Sequence, residues 1–299
     1  MNGRDHFEGI VNVASVPQRS PFRYPGGKTW LVPHLRTWLR SLPQRPALFV
    51  EPFAGGGIIS LTVAFEHLAD HVIMVELDPQ VAVVWRTILE GDADGLARRI
   101  AGFDLNLDTL TAALARPPET TQDLAFQTIL KNRTNRGGIL APGAGKSKYG
   151  ENGKGILSRW YPDTIRRRIL DIAWIRQRIT FIEGDGLGVA RQHAANSQAV
   201  FFIDPPYTAS IKRAGSRLYT HSDIDHDELF RIAGTFAGDF LMTYDDAPEL
   251  HALAARYGFC TELVAMKNTH HAEMTELLIA PSFAWKPPAH METLAMKFY

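Results

Sequence analysis

The chain has 299 residues, of which 45% are hydrophobic and 21% charged, and its 32 basic residues balance its 32 acidic residues. This composition is typical of a globular protein with a sizeable core. No stretch approaches the roughly 20 apolar residues of a membrane span, and residues 1–20 lack the apolar centre of a signal peptide. The single cysteine, Cys260, excludes an internal disulfide. We therefore expect a cytoplasmic protein.

Apolar patterning predicts an α/β fold. A strand at 48–51 leads through a glycine-rich loop into a helix from Ile58, and a second strand at 71–76 precedes a helix at about 79–89. This β-α-β-α order opens a doubly wound, mostly parallel sheet. Further strands are predicted at 179–183, 199–203, 240–243, 262–266 and 276–279.

A basic segment separates the two halves of the predicted sheet. Between Arg116 and Arg178, 13 basic residues stand against five acidic ones, a net charge of +8 in a neutral chain. Its middle is rich in glycine and predicts a loop or hairpin, with helices at about 122–131 and 162–176 on either side. Such a segment fits a polyanion binder, and a solvated helical face explains the charge equally well.

These features divide the chain into three parts. Residues 1–20 are predicted to be a flexible N-terminus, and residues 21–103 and 179–299 to form one α/β domain. Residues 104–178 are predicted to be a mainly helical insertion.

The first predicted strand ends in Glu51, and the loop that follows contains Phe53, Gly55 and Gly57. Glycines allow a ligand to approach the backbone closely. Glu76 ends the next strand, at the spacing where a carboxylate binds ribose hydroxyls in dinucleotide-binding folds. The glycine pattern disfavours NAD and leaves adenosine open, while a simple tight connection is the alternative.

Two further turns carry candidate ligand contacts. The segment 22–29 ends in Gly-Lys-Thr but has Phe22 where a phosphate-binding loop requires glycine. We interpret it as a turn that presents Tyr24 and Lys28 to a ligand with a ring and a carboxylate. Asp185 follows the third strand and either accepts a hydrogen bond from an adenine amine or caps the local backbone.

The run Asp204-Pro205-Pro206-Tyr207 follows the fourth predicted strand. Two prolines fix the backbone and remove two donors, so Asp204 and the carbonyl of Pro205 can accept hydrogen bonds from one exocyclic amine. Tyr207 would stack on the ring that carries it. A tight turn is the alternative, and amine methylation is the chemistry that the motif favours.

Together these motifs resemble the Dam-like, D12 class of adenine-specific DNA methyltransferases. Tyr24 to Lys28, the glycine loop, Glu76 and Asp204 to Tyr207 occur in the family's order, and residues 275–279 resemble its last core strand. The resemblance implies a Rossmann-like methyltransferase fold, S-adenosylmethionine as cofactor, and transfer to the 6-amino nitrogen of a flipped-out adenine. It also implies a target-recognition region at 104–178.

The implied partner is double-stranded DNA. The predicted contacts lie in the insertion and beyond Tyr207: Lys131, Asn132, Arg133, Asn135, Arg136, Lys146, Lys148, Lys212 and Arg213. No metal is expected, because His270 and His271 lack accompanying ligands. A monomer suffices, and a cognate restriction endonuclease is a functional partner that the resemblance leaves open. RNA or cytosine methylation, or a catalytically silent DNA-binding module, are the alternatives.

Overall fold

The computed structural model describes residues 15–24, 26–147, 149, 153–206, 224–267 and 273–286. Seven strands form one sheet: β1 Leu48–Glu51, β2 His71–Glu76, β3 Ile179–Glu183, β4 Ala199–Ile203, β5 Phe240–Asp245, β6 Cys260–Lys267 and β7 Glu273–Ala280. Their order is β3-β2-β1-β4-β5-β7-β6. The first five run parallel, and β7 is antiparallel to both β5 and β6. The predicted α/β, doubly wound, mostly parallel sheet is confirmed.

The α-helices of the described residues connect these strands and cover both faces of the sheet. They are α1 Val32–Ser41, α2 Ile58–Glu66, α3 Pro79–Leu89, α4 Ala93–Ala101, α5 Leu107–Ala115, α6 Thr121–Thr134, α7 Pro162–Trp174, α8 Gly186–His193, α9 His226–Ala233 and α10 Pro248–Arg256. Helix α3 begins where Pro79 supplies a preset φ and Asp78 accepts a hydrogen bond from the Gln80 amide at 2.8 Å.

Alternate residues of the central strands face two separate apolar clusters. Phe49 and Phe202 belong to the cluster beneath α1 to α4, whereas Val50 and Phe201 belong to the one beneath α8 to α10. This alternation follows from the period of two along a strand. Because both faces are covered, the strands are almost continuously apolar, which is why they could be predicted from sequence.

The insertion shares the core of the α/β domain. Helix α6 packs on α3, and α7 packs on α4. Phe126 and Ile169 are buried in the same apolar cluster as the sheet residues. At its centre, Asn135 and Lys146 form an antiparallel bridge, and the Arg136 amide donates to Gly145 O at 2.9 Å. The residues between them therefore form the closed loop that the glycines predict.

Residues 15–20, part of the predicted flexible N-terminus, pack on the domain, with Val16 buried and Arg19 bonded to Glu66. The remainder of that segment, residues 1–14, lies outside the described residues. No helix in the described ranges is long and apolar enough to cross a membrane.

Helix α8 meets the glycine loop at Gly186, which generates a test of the fold. A methyl group added there would lie 2.1 Å from the carbonyl oxygen of Pro52, which is backbone and cannot rotate away. Gly186→Ala is expected to lower the free energy of unfolding by about 1–3 kcal/mol through overpacking. Gly145→Ala is the matched control, since a methyl group there meets nothing within 4 Å. Equal denaturation midpoints for the two variants would contradict this packing.

Candidate active site

The glycine loop between β1 and α2 is the first component of the candidate site. Gly55 and Gly57 have positive φ angles of 48° and 65°, which other residues rarely adopt. The ring of Tyr24 lies against the loop, where a Cβ added to Gly55 would come within 2.6 Å of it. Trp85 donates from its indole nitrogen to Gly55 O at 2.9 Å. The loop is thus held from beneath by Trp85 and covered by Tyr24.

Glu76, at the end of β2, turns its carboxylate into this loop. Its Oε2 accepts from the Gly55 amide at 2.9 Å, and its Oε1 accepts from the Asp78 amide at 2.8 Å. Burial raises its pKa to about 7. The two carboxylate oxygens have four lone pairs between them, so acceptor capacity remains for a hydroxyl group. The geometry fits the ribose contact that the sequence predicts for Glu76.

Lys28 is a buried ammonium at the carboxyl edge of the sheet, with 2% of its surface exposed. Its Nζ lies 3.0 Å from Asp204 Oδ1 and 3.4 Å from Glu276 Oε1, and it donates to Gly26 O at 3.2 Å. The hydroxyl of Thr243 donates to Asp204 Oδ1 at 2.9 Å. Lys28 and Thr243 together fix the orientation of the carboxylate in the Asp204-Pro205-Pro206 motif.

Glu276 is a member of the site that the sequence reasoning missed. It lies on β7, is 4% exposed, and its Oε2 has no hydrogen-bond partner in the described structure. Burial raises its pKa to about 7, Lys28 opposes the shift, and Asp204 and Asp245 add to it. The sequence contained one signal for this residue. Glu276 is an acid within the apolar run of 276–280, and a charged group buried in such a strand needs a partner.

Glu51 adds another buried carboxylate to the same edge. It accepts from the Ser60 amide at 2.9 Å, and burial raises its pKa to about 8, with smaller contributions from Asp204 and Glu76. Glu51, Glu76, Asp204 and Glu276 thus place four carboxyl groups along this edge of the sheet, and the Lys28 ammonium lies beside two of them, Asp204 and Glu276. The site has an excess of acidic groups and favours a cationic ligand.

These residues fit S-adenosylmethionine. The glycine loop lets a ligand approach the backbone, Glu76 offers acceptors for the ribose, and the excess of buried acid complements a sulfonium ion. The buried Glu276 Oε2 is an acceptor that the described residues leave unsatisfied. Tyr24, Lys28, Phe53, Gly55, Gly57, Glu76 and Asp204 would hold the cofactor.

Several predicted site residues have more limited support. Asp185 is the N-cap of α8 and accepts from the amides of Leu187 and Gly188, both at 3.0 Å, so the capping alternative describes it here. Pro205 is buried and Pro206 is half-buried beside Asp204. Tyr207 lies outside the described residues, as do five other residues that the sequence singled out: Lys148, Lys212, Arg213, His270 and His271.

Three residues predicted to contact DNA are buried in this structure. Asn132 clamps the backbone of Arg23, accepting from its amide at 2.8 Å and donating to its carbonyl at 2.7 Å. Arg133 donates to Pro21 O through Nε and Nη2. Asn135 donates to Ile139 O at 2.8 Å. Because these side chains bond to other parts of the chain, mostly to backbone groups, they hold the insertion together and attach it to residues 21–23.

The other described candidates for DNA contact are accessible. Arg136 and Lys146 are exposed on the central loop of the insertion. Lys146 Nζ donates to Asn135 Oδ1 at 2.9 Å, which places one amine at the base of the loop. Lys131 is half-buried and donates to Gln80 Oε1 at 3.3 Å.

Comparison with known proteins supports a methyltransferase. Residues 24–111 match the family described as D12 class N6 adenine-specific DNA methyltransferase. The resemblance predicted from the sequence is therefore confirmed over that segment, which contains Tyr24, the glycine loop and Glu76 and ends before Asp204. No curated protein matches this chain significantly.

Three solved structures illustrate the distant likeness of the fold. The rRNA methyltransferase aviRa from Streptomyces viridochromogenes is 13% identical over 93% of this chain and 96% of its own, with a TM-score of 0.40. A putative RNA methyltransferase from Pyrococcus horikoshii is 10% identical over 92% and 89%, with a TM-score of 0.38. Precorrin-6y C5,15-methyltransferase from Geobacter metallireducens is 10% identical over 84% and 87%, with a TM-score of 0.37. Likenesses this distant carry no argument about substrate.

The buried acids predict how stability depends on pH. Glu51, Glu76 and Glu276 have folded pKa values of about 8, 7 and 7, above their ordinary 4.5, so the folded protein binds more protons than the unfolded chain. Their stabilising effect is complete below pH 4.5 and declines as the pH rises to the folded pKa values. The ligand-free protein should therefore lose about 2 kcal/mol or more of unfolding free energy between pH 6.5 and 8.5.

Chemical denaturation across that pH window measures the loss. Below that pH window, the pKa of His34 has the opposite effect on stability. Burial lowers this pKa to about 4, so His34 makes the folded protein more stable as the pH rises. Glu51→Gln keeps an acceptor for the Ser60 amide and should flatten the decline, whereas the exposed control Glu90→Gln should not. A stability that stays constant or rises over the window in the unsubstituted protein would contradict the buried-acid interpretation.

Proposed function

We propose that this chain transfers a methyl group from S-adenosylmethionine to the 6-amino nitrogen of adenine in DNA. The observation that carries the proposal is the Asp204 carboxylate, held by Lys28 and Thr243 directly beside a glycine loop and before two prolines. The D12 family match over residues 24–111 supports both the cofactor and the base.

The proposed role of Asp204 is to orient the target amine. An aromatic amine is a weak nucleophile because its lone pair is delocalised into the ring. Hydrogen bonds from its two N–H groups to Asp204 and to the carbonyl of Pro205 favour a tetrahedral nitrogen with an available lone pair. That lone pair would then be available to take the methyl group that S-adenosylmethionine would supply, leaving the neutral thioether S-adenosylhomocysteine, while the nitrogen would give up one proton to water. The cofactor supplies the electrophilic methyl group, and the protein supplies orientation and electrostatics.

The proposed chemistry requires the target adenine of DNA to lie outside the base stack. The 6-amino group of a paired adenine is not accessible for in-line attack, so the base must leave the stack at a cost of a few kcal/mol. The exposed Arg136 and Lys146 and the +8 charge between Arg116 and Arg178 would attract the duplex to the insertion. We therefore propose that residues 104–178 act as the target-recognition region.

A direct test uses labelled S-adenosylmethionine and unmethylated genomic DNA, followed by nucleoside analysis by mass spectrometry. N6-methyladenine is the expected product. Methylated cytosine, or incorporation into RNA alone, would replace the substrate and retain the mechanism. No incorporation into any nucleic acid would contradict the proposal and favour a binding module.

A single substitution tests the proposed chemistry. Asp204→Asn keeps the size of the side chain but exchanges one acceptor oxygen for a donor, so the amine can no longer be held by two acceptors. We expect at least a hundredfold loss of kcat in methyl transfer, within the range of roughly 10²–10⁴ for such groups, with DNA affinity retained within a few fold. Asp94→Asn, an exposed residue on α4, is the matched control. Undiminished turnover in Asp204→Asn would overturn the role of Asp204.

A further inference from the structure

A cluster of four arginines lies where the insertion meets the N-terminal segment. It comprises Arg23, Arg133 on α6, Arg159 before α7, and Arg168 on α7. Arg133 donates to Pro21 O, and Arg168 Nη1 donates to Ser20 O at 2.9 Å. Guanidinium groups from two helices thus bind neighbouring carbonyls of the segment that continues to Arg23.

The charges of Arg23, Arg133 and Arg168 are not neutralised by a carboxylate within the described protein. Burial, together with the positive charges of Arg168, Arg23 and Arg159, lowers the pKa of Arg133 to about 9. Burial and the positive charge of Arg159 also lower the pKa of Arg23. No carboxylate of the described residues forms an ion pair with Arg23, Arg133 or Arg168, whereas Arg36 pairs with Glu66 and Arg99 with Asp123.

We propose that this arginine cluster binds a phosphodiester group of the DNA backbone. Like charges held together in a half-buried position are unfavourable, and a bound anion relieves both repulsion and burial. The planar guanidinium matches phosphate oxygens and stays charged at physiological pH. This inference rests on the proposed function. The sequence predicts that Arg133 itself contacts DNA, whereas here the buried Arg133 only adds positive charge and its more exposed neighbours contact the phosphate.

The position of the cluster favours DNA over a free anion. Arg23 immediately precedes Tyr24, whose ring packs on the glycine loop of the candidate active site. Tyr161, 52% exposed, lies near enough to Arg23 and Arg133 to affect their pKa values. A backbone phosphate bound here would hold the duplex beside the proposed pocket for the flipped adenine, on the surface formed by the basic insertion.

The salt dependence of DNA binding tests the proposal. Fluorescence anisotropy with a short unmethylated duplex would compare the unsubstituted protein with Arg23→Gln and Arg159→Gln, both at half-buried positions. Arg98→Gln, exposed on α4, is the control. Arg133 is left intact because it holds the N-terminal segment, and melting curves verify that each variant is folded. One lost phosphate contact lowers the slope of log K against log salt by about 0.9.

We expect each cluster variant to lose about one in this slope and to bind roughly tenfold more weakly at 0.1 M salt, while Arg98→Gln matches the unsubstituted protein. Slopes that equal that of the control would overturn the phosphate site and leave methyl transfer standing. A further outcome is that inorganic phosphate stabilises the unsubstituted protein while the cluster variants keep its salt-dependence slope for DNA binding. That result would assign the cluster to free anions and would also overturn the proposed phosphodiester site. Failure of the unsubstituted protein to bind any duplex would overturn the proposed function and this inference together.

Discussion

A buried ammonium group, that of Lys28, is the interaction on which the rest of the candidate site depends. It lies within 3.4 Å of two carboxylates from different strands, Asp204 after β4 and Glu276 on β7. Removing one partner of a buried ion pair leaves a charge that neither water nor protein can stabilise. The arrangement therefore fixes Asp204 in place. It also leaves the site with more acid than base, which favours a ligand that brings positive charge.

The same segment that supplies Lys28 connects the insertion to the catalytic edge. Asn132 clamps the backbone of Arg23 through two hydrogen bonds, and the next residue, Tyr24, covers Gly55. A displacement of α6 would therefore move the cover of the glycine loop. Under the proposed function, this continuous path would give DNA bound at the insertion a physical means of influencing the glycine loop.

The sequence predicted the parts of the molecule that depend on local patterns. Strands β1 to β4 and helix α3 were predicted to the residue, because buried apolar runs there end at an acid, a glycine or a proline. Burial of Asn132 and Arg133 was not predictable, since their partners lie more than 100 residues away in the chain. Cys260 is exposed because β6 is an edge strand. Glu276 was missed because its role appears only when β4, β5 and β7 meet.

The most direct test of this account is the number of protons released when the ligand-free protein binds S-adenosylmethionine. Calorimetry at pH 7.5 in two buffers of different ionisation enthalpy measures it. The account predicts net proton release, because a sulfonium ion beside Glu51, Glu76 and Glu276 lowers their raised pKa values, with less release for the neutral thioether product, S-adenosylhomocysteine. Binding of both ligands with no proton released, or with equal release, would contradict an acidic site built for a cationic methyl donor.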